Sequence, residues 1–127
     1  MTVSTAKSAE TVEFDKLIQQ IRDFAQERDW EQFHSPKNLA MALMVEASEL
    51  AEIFQWLTQE QSLNLDSDQK QRVEEEVADV MNYLIRICDR LDIDLLEATR
   101  RKIRINTEKY PVSQARGSAL KYTQYQS

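Results

Sequence analysis

A chain of 127 residues is long enough to bury one core and short for two, so a single domain is expected. Its 1 Gly and 2 Pro are far fewer than hairpins and tight turns consume, which argues against a β architecture and for long helices. A formal net charge of −6 and a pI near 4.8 exclude nucleic acid or an anionic membrane as the main partner, because gripping a phosphate backbone requires a basic surface.

The opening MTVSTAKSA is small and polar, and residues 1–9 are expected to form a flexible segment. Phe14, Leu17, Ile18, Ile21, Phe24 and Ala25 then give one apolar face to a first helix over residues 10–29. RDWEQFHSPKN follows, dense in aromatic and polar groups and poorly periodic. Ser35-Pro36 is a helix start, with an N-cap Ser and Pro at the first helical position, and the second helix runs from there to Thr58. QEQSLNLDSD is read as a connection. A third helix starts at Ser67 or Asp68 and runs to Arg90 on a heptad-like stripe of Val73, Val77, Val80, Leu84, Ile87 and Leu91. The single Cys88 lies in its apolar part, so no disulfide framework or Cys metal site is expected. Asp92 or Asp94 can cap a fourth helix to Lys109, which Tyr110-Pro111 ends because the residue before Pro is pushed out of helix.

These elements predict an all-α fold, a four-to-five-helix bundle with little or no strand. The helical domain is placed at 10–111 and a C-terminal tail at 112–127. No apolar run approaches the about 20 residues of a membrane span, and no leader pattern is seen, so a cytoplasmic location without a membrane partner is expected.

The second helix poses a problem. Leu39, Leu43, Leu50, Ile53 and Leu57 form its stripe, and the gap in that stripe falls on Glu46. At about 100° per residue, Glu46 lies about 20° from the stripe centre and Glu49 about 80° away. Glu76 and Asp79 repeat the i, i+3 spacing on the third helix, on one side of its stripe, and Tyr83 extends the row. Two helices thus each offer an inward-leaning acidic pair. Carboxylates that converge cannot all stay ionised without cations between them. An all-oxygen set with no Cys and no local His selects a hard ion, Mg²⁺ or Mn²⁺, and such ions commonly recruit substrate phosphates. That chemistry points to phosphoanhydride hydrolysis. The plain alternative is a pair of solvated acidic faces, which E-x-x-E on a helix usually means; it leaves Glu46 inside the stripe unexplained.

E46-A-S-E49 and, 26 residues on, E76-V-A-D79 resemble the ExxE…ExxD metal motif of the all-α nucleoside triphosphate pyrophosphohydrolases, the MazG-like superfamily. RDWEQFHSPKNLAMAL, ELAEIFQWL, EEEVADVMNYLIRICDRLDIDL and INTEKYP resemble its dCTP pyrophosphatase branch, so the likeness spans residues 14–125. The resemblance implies Mg²⁺-dependent cleavage of a nucleoside triphosphate to the monophosphate and pyrophosphate, with dCTP or a modified dCTP as substrate and nucleotide-pool house-cleaning as the role. It makes Glu46, Glu49, Glu76 and Asp79 the metal ligands, and it implies homodimers, or tetramers built from dimers, packed through helices.

Further residues follow from it. The Trp30–Asn38 segment helps hold base and sugar in that branch, and His34, Trp30, Trp56 and Tyr83 could supply ring faces and directed hydrogen bonds. Core packing is the plain alternative for Trp56, as a structural role is for the lone His34. Lys102, Asn106 and Lys109, with Tyr110 beside them, match the pattern with which the superfamily grips phosphates; a solvated basic helix end is the alternative. Arg116, Lys121 and Tyr122 are the tail residues that could reach a neighbouring subunit. Two rivals stand beside this reading: a non-catalytic helical oligomerisation or adaptor module, and a relative of the same superfamily that prefers dUTP or a non-canonical purine. A di-iron bundle is disfavoured, since it needs two E-x-x-H motifs and only E31-Q-F-H34 is present.

Overall fold

A computed structural model describes residues 6–126. The helices are α1 (Ala9–Glu27), α2 (Pro36–Phe54), α3 (Gln59–Leu63), α4 (Ser67–Arg90), α5 (Leu95–Lys109) and α6 (Val112–Ala115), followed by a 3-10 turn over Tyr122–Gln124. No strand occurs among the described residues, so the all-α expectation holds. Residues 1–5 of the expected flexible start lie outside the described residues.

Each of the first five helices begins on a side chain that accepts a free backbone N–H: Ser8, Ser35, Thr58, Asp66 and Asp94 bond the amides of Thr11, Asn38, Gln61, Gln69 and Glu97. Thr58 explains why α2 stops at Phe54. Its hydroxyl takes the Gln61 amide at 3.1 Å while the Gln61 side chain returns to the Thr58 amide at 2.9 Å, a capping box that turns the expected connection into α3. Helix ends use aspartate where other chains use glycine. Asp29 and Asp92 both stand at φ 54°, the left-handed region. After α1 the Asp29 amide bonds Gln26 O and the Trp30 amide bonds Ala25 O. The Trp30 ring meets Phe24 edge-on with centroids 5.7 Å apart, which completes a Schellman motif with its apolar clasp. Asp92 is therefore a helix terminator, and Asp94 is the α5 cap.

Contacts gather the chain into two units, Met1–Asp92 and Ile93–Ser127. In the first, α2 packs along α4, and α1 packs on α4. Leu39 and Ile53 of α2, Ile85 of α4 and Ala25 of α1 are its buried apolar side chains. Ile85 lies outside the predicted α4 stripe and is 2% exposed, whereas Val77 within the stripe is 49% exposed. The physical reason is that α4 meets two helices, so its buried surface is broader than one heptad seam. The second unit holds α5, α6 and the 3-10 turn. Within it Tyr110 packs edge-on against Tyr122 and Tyr125, with centroids 5.8 and 6.0 Å away.

Candidate functional site

Packing α2 on α4 brings the two acidic pairs toward each other. Glu46, Glu49 and Glu76 each offer a carboxylate oxygen, and these oxygens all lie within 4.8 Å of one another. Glu46 Oε2 and Glu76 Oε2 are buried and have no hydrogen-bond partner. A buried carboxylate oxygen left without a donor is costly. Burial pushes the Glu46 carboxyl up to about 7, with Glu49, Glu76 and the Asp79 charge adding to the effect. Glu76 is raised as well, by burial first and then by the Glu49 and Asp79 charges, with its contact to Glu46 acting the other way. Carboxylates alone, crowded and with two oxygens unpaired, fit a hard divalent cation.

Glu46 and Asp79 also line a cavity of about 450 Å³. Trp30, Phe24, His34, Tyr83, Asn82 and Arg86 are among its other walls. The helix-end clasp sets Trp30, whose ring lies 6.1 Å from His34 at 63°. Bonds from the His34 amide to Glu31 O and from Asn38 Nδ2 to Phe33 O hold the intervening loop against the start of α2. The Tyr83 hydroxyl is held protonated by burial and by the Glu46 and Asp79 charges, so it serves the cavity as a donor.

Behind His34 lies a charged network that the sequence reading did not single out. Arg86, 3% exposed, donates from Nε to His34 Nδ1 at 3.3 Å and from Nη1 to Asp89 at 2.9 Å. Asp89 also accepts from Arg22 Nε at 2.9 Å, which ties α1 to α4. Burial and then the Arg86 and Arg90 charges hold the His34 pKa below the usual value, which favours the neutral ring. A signal for Arg86 was present: Glu76, Asp79, Tyr83 and Arg86 continue one 3-4-3 row on α4.

Trp56 is 86% exposed just beyond α2 and does not line the cavity. In the second unit Lys102 and Asn106 are exposed on α5. Lys109 Nζ stands 4.9 Å over the Tyr122 ring, and Tyr110 caps α5 through its amide to Asn106 O. Tyr122 of the tail thus has its aromatic partner within its own chain. No helix among the described residues is long and apolar enough to cross a membrane.

An all-α unit in which E-x-x-E on α2 packs against E-x-x-D on α4 defines a class, and the sequence profile of the MazG-like family matches residues 41–124: the chain belongs to that family. Within the family it is similar to dCTP pyrophosphatase 1. The mouse protein is 46% identical over 103 residues and the human protein 44% over 104, each match covering 80% of this chain. The chain spans 61% of the length of those relatives. The crystal structure of a pyrophosphatase from Archaeoglobus fulgidus is 36% identical, with a TM-score of 0.76, and the match covers 87% of this chain and 99% of that one.

Proposed function

We propose that this chain is a Mg²⁺-dependent nucleoside triphosphate pyrophosphohydrolase, acting on dCTP or a modified dCTP to release the monophosphate and pyrophosphate. The observation that carries the reading is the set of converging carboxylates, with the Glu46 and Glu76 oxygens buried and partnerless, of which Glu46 reaches the wall of an aromatic cavity. An adaptor module has no use for either. The cavity volume falls in the range of small-molecule sites, about 300–1,000 Å³. Trp30 and Tyr83 offer ring surface to a base, and His34 and Asn82 offer directed hydrogen bonds. Glu46, Glu49, Glu76 and Asp79 hold the cation. Bound Mg²⁺ supplies charge neutralisation of the triphosphate and activation of the attacking water. Lys102, Asn106 and Lys109, with Tyr110 beside them, grip phosphate oxygens. Removal of unwanted nucleotides in the cytoplasm is the biological role that fits. Incubation with dCTP and Mg²⁺ is expected to give dCMP and pyrophosphate; dCDP and orthophosphate would remove this reaction class, and faster turnover of dUTP or an oxidised purine would replace the base assignment.

The active form is proposed to be a homodimer or a tetramer of dimers packed through helices. Met41, Met44 and Val45 support this: they lie on the α2 face opposite Leu39 and are 54%, 62% and 52% exposed. A helix apolar on both faces is normally covered on both. Trp56, at 86% exposed, reaches the base from an assembled neighbour or packs against it. Met44→Glu is expected to shift the sedimentation profile toward monomer and to reduce activity; unchanged association would place the subunit contact elsewhere.

A further inference from the structure

The network behind the cavity has no place in the hydrolytic scheme above, yet it fixes a chemical choice. An imidazole nitrogen accepts a hydrogen bond only when it carries no proton, and a guanidinium only donates. Arg86 Nε donates to His34 Nδ1 at 3.3 Å, so a neutral His34 must carry its proton on Nε2. The guanidinium is held in turn: Nη1 donates to Asp89 at 2.9 Å, Asp89 is clasped by Arg22, and Nη2 stands 3.7 Å from Glu31 Oε1. Nη2 is itself buried and makes no hydrogen bond. With Arg86 only 3% exposed, the fork has little room to swing away. Nε2, at the other edge of the ring, has no hydrogen-bond partner among the described residues, and His34 lines the cavity. The charged groups facing the ring are Arg86 and Arg90 of α4 and Glu31 of its own loop.

We infer that Arg86 is a positioning residue that fixes His34 as an Nε2–H donor, so that the ligand group seated at that edge of the cavity must be an acceptor. Resting on the nucleotide reading above, that acceptor is a base carbonyl, which a pyrimidine 2-oxo group supplies and an exocyclic amine does not. The specificity acts at one hydrogen bond, which in binding terms is a factor of about ten.

The chain has a single histidine, so the tautomer can be read on the intact protein by long-range ¹H–¹⁵N correlation without assignment. The expected wild-type spectrum shows protonated Nε2 and bare Nδ1 with no exchange averaging, and Arg86→Met shows signals averaged between the two neutral forms. An averaged or Nδ1-protonated ring in the wild type overturns the inference, whether or not the variant folds. The kinetic counterpart is a KM for dCTP raised about tenfold in Arg86→Met with kcat within about twofold. Alanine at position 34 carries no group for Arg86 to orient. In a His34→Ala background, therefore, Arg86→Met is expected to leave KM unchanged. An equal KM penalty in both backgrounds assigns Arg86 a structural role and overturns the proposal. Pyrophosphate release separates the two readings: an averaged imidazole in an active enzyme removes this inference alone, and a fixed tautomer in an inactive protein removes the hydrolase alone.

Discussion

Glu46→Gln is expected to lower the proposed pyrophosphohydrolase activity by orders of magnitude while the melting temperature of the metal-free protein stays level or rises. The two effects have one origin. Glu46 fills a gap in the α2 stripe and points a buried oxygen with no donor at Glu49 and Glu76. In the absence of a cation that arrangement opposes folding, through desolvation and like-charge repulsion. Glutamine keeps the volume and removes one charge. For catalysis, on the proposed function, the same change would remove an oxygen ligand and misplace the cation. Were Glu46 instead held by a buried cationic side chain, its loss would strand that partner and cost about 3–5 kcal/mol. Melting curves of both proteins in EDTA and in Mg²⁺ decide, with Mg²⁺ expected to stabilise the wild type more than the variant.

The pH dependence in EDTA follows from the same residue. A carboxyl whose folded pKa is raised to about 7, above the unfolded value of about 4.3, binds its proton more tightly in the native state. Its contribution to stability is complete at low pH and is lost as pH rises through 7. The metal-free wild type is therefore expected to lose stability between about pH 4 and pH 7 relative to Glu46→Gln, by thermal melting across that range. Parallel pH profiles for the two proteins would place Glu46 in an ordinary solvated setting.

Most of the fold was legible because its determinants are local. Ser35-Pro36 and Asp94 announce their helices by short-range hydrogen bonds, and stripes of period 3.6 announce the faces. Glu46 was legible for the same reason, as a polar residue breaking an apolar series. What escaped reading is pairwise and long-range. The Thr58–Gln61 capping box was available in sequence but was masked by the polar look of its surroundings. The left-handed Asp29 and Asp92 carry no glycine to advertise them. Val77 and Ile85 exchanged their expected burial because α4 contacts α1 as well as α2, and nothing in α4 alone says where α1 docks. The same docking hid Arg22, Asp89 and Arg86: each reads as a solvated charge until the α1–α4 approach brings residues 22 and 89 into hydrogen-bonded contact.

That approach gives the last expected result: Asp89→Asn destabilises the protein by about 3–5 kcal/mol, the range for breaking a buried ion pair from one side. The Asp89 side chain is 13% exposed and accepts from both Arg22 and Arg86. Its hydrogen bond from Arg22 holds its pKa below the usual carboxylate range, helped by the charges of Arg22, Arg86 and Arg90 and opposed by burial. An asparagine leaves the Arg86 guanidinium enclosed, with only Glu31 at 3.7 Å as an anionic neighbour. Arg22→Gln is expected to cost clearly less, because the Arg22 side chain is 38% exposed and no buried charge is stranded. Here the pH sign is the reverse of that for Glu46. A depressed folded pKa gives stability that is present above the unfolded value of about 3.9 and lost as pH falls through the folded one. His34, also depressed, acts in the same direction, contributing above about 6.5 and losing its contribution on acidification. The wild type in EDTA is thus pulled down from both sides, by its acid cluster on going alkaline and by this network on going acid. Asp89→Asn should remove the steepest part of the acid limb while leaving the alkaline limb intact; a variant that melts like the wild type below pH 4 would show that the Asp89 bonds carry no net stability.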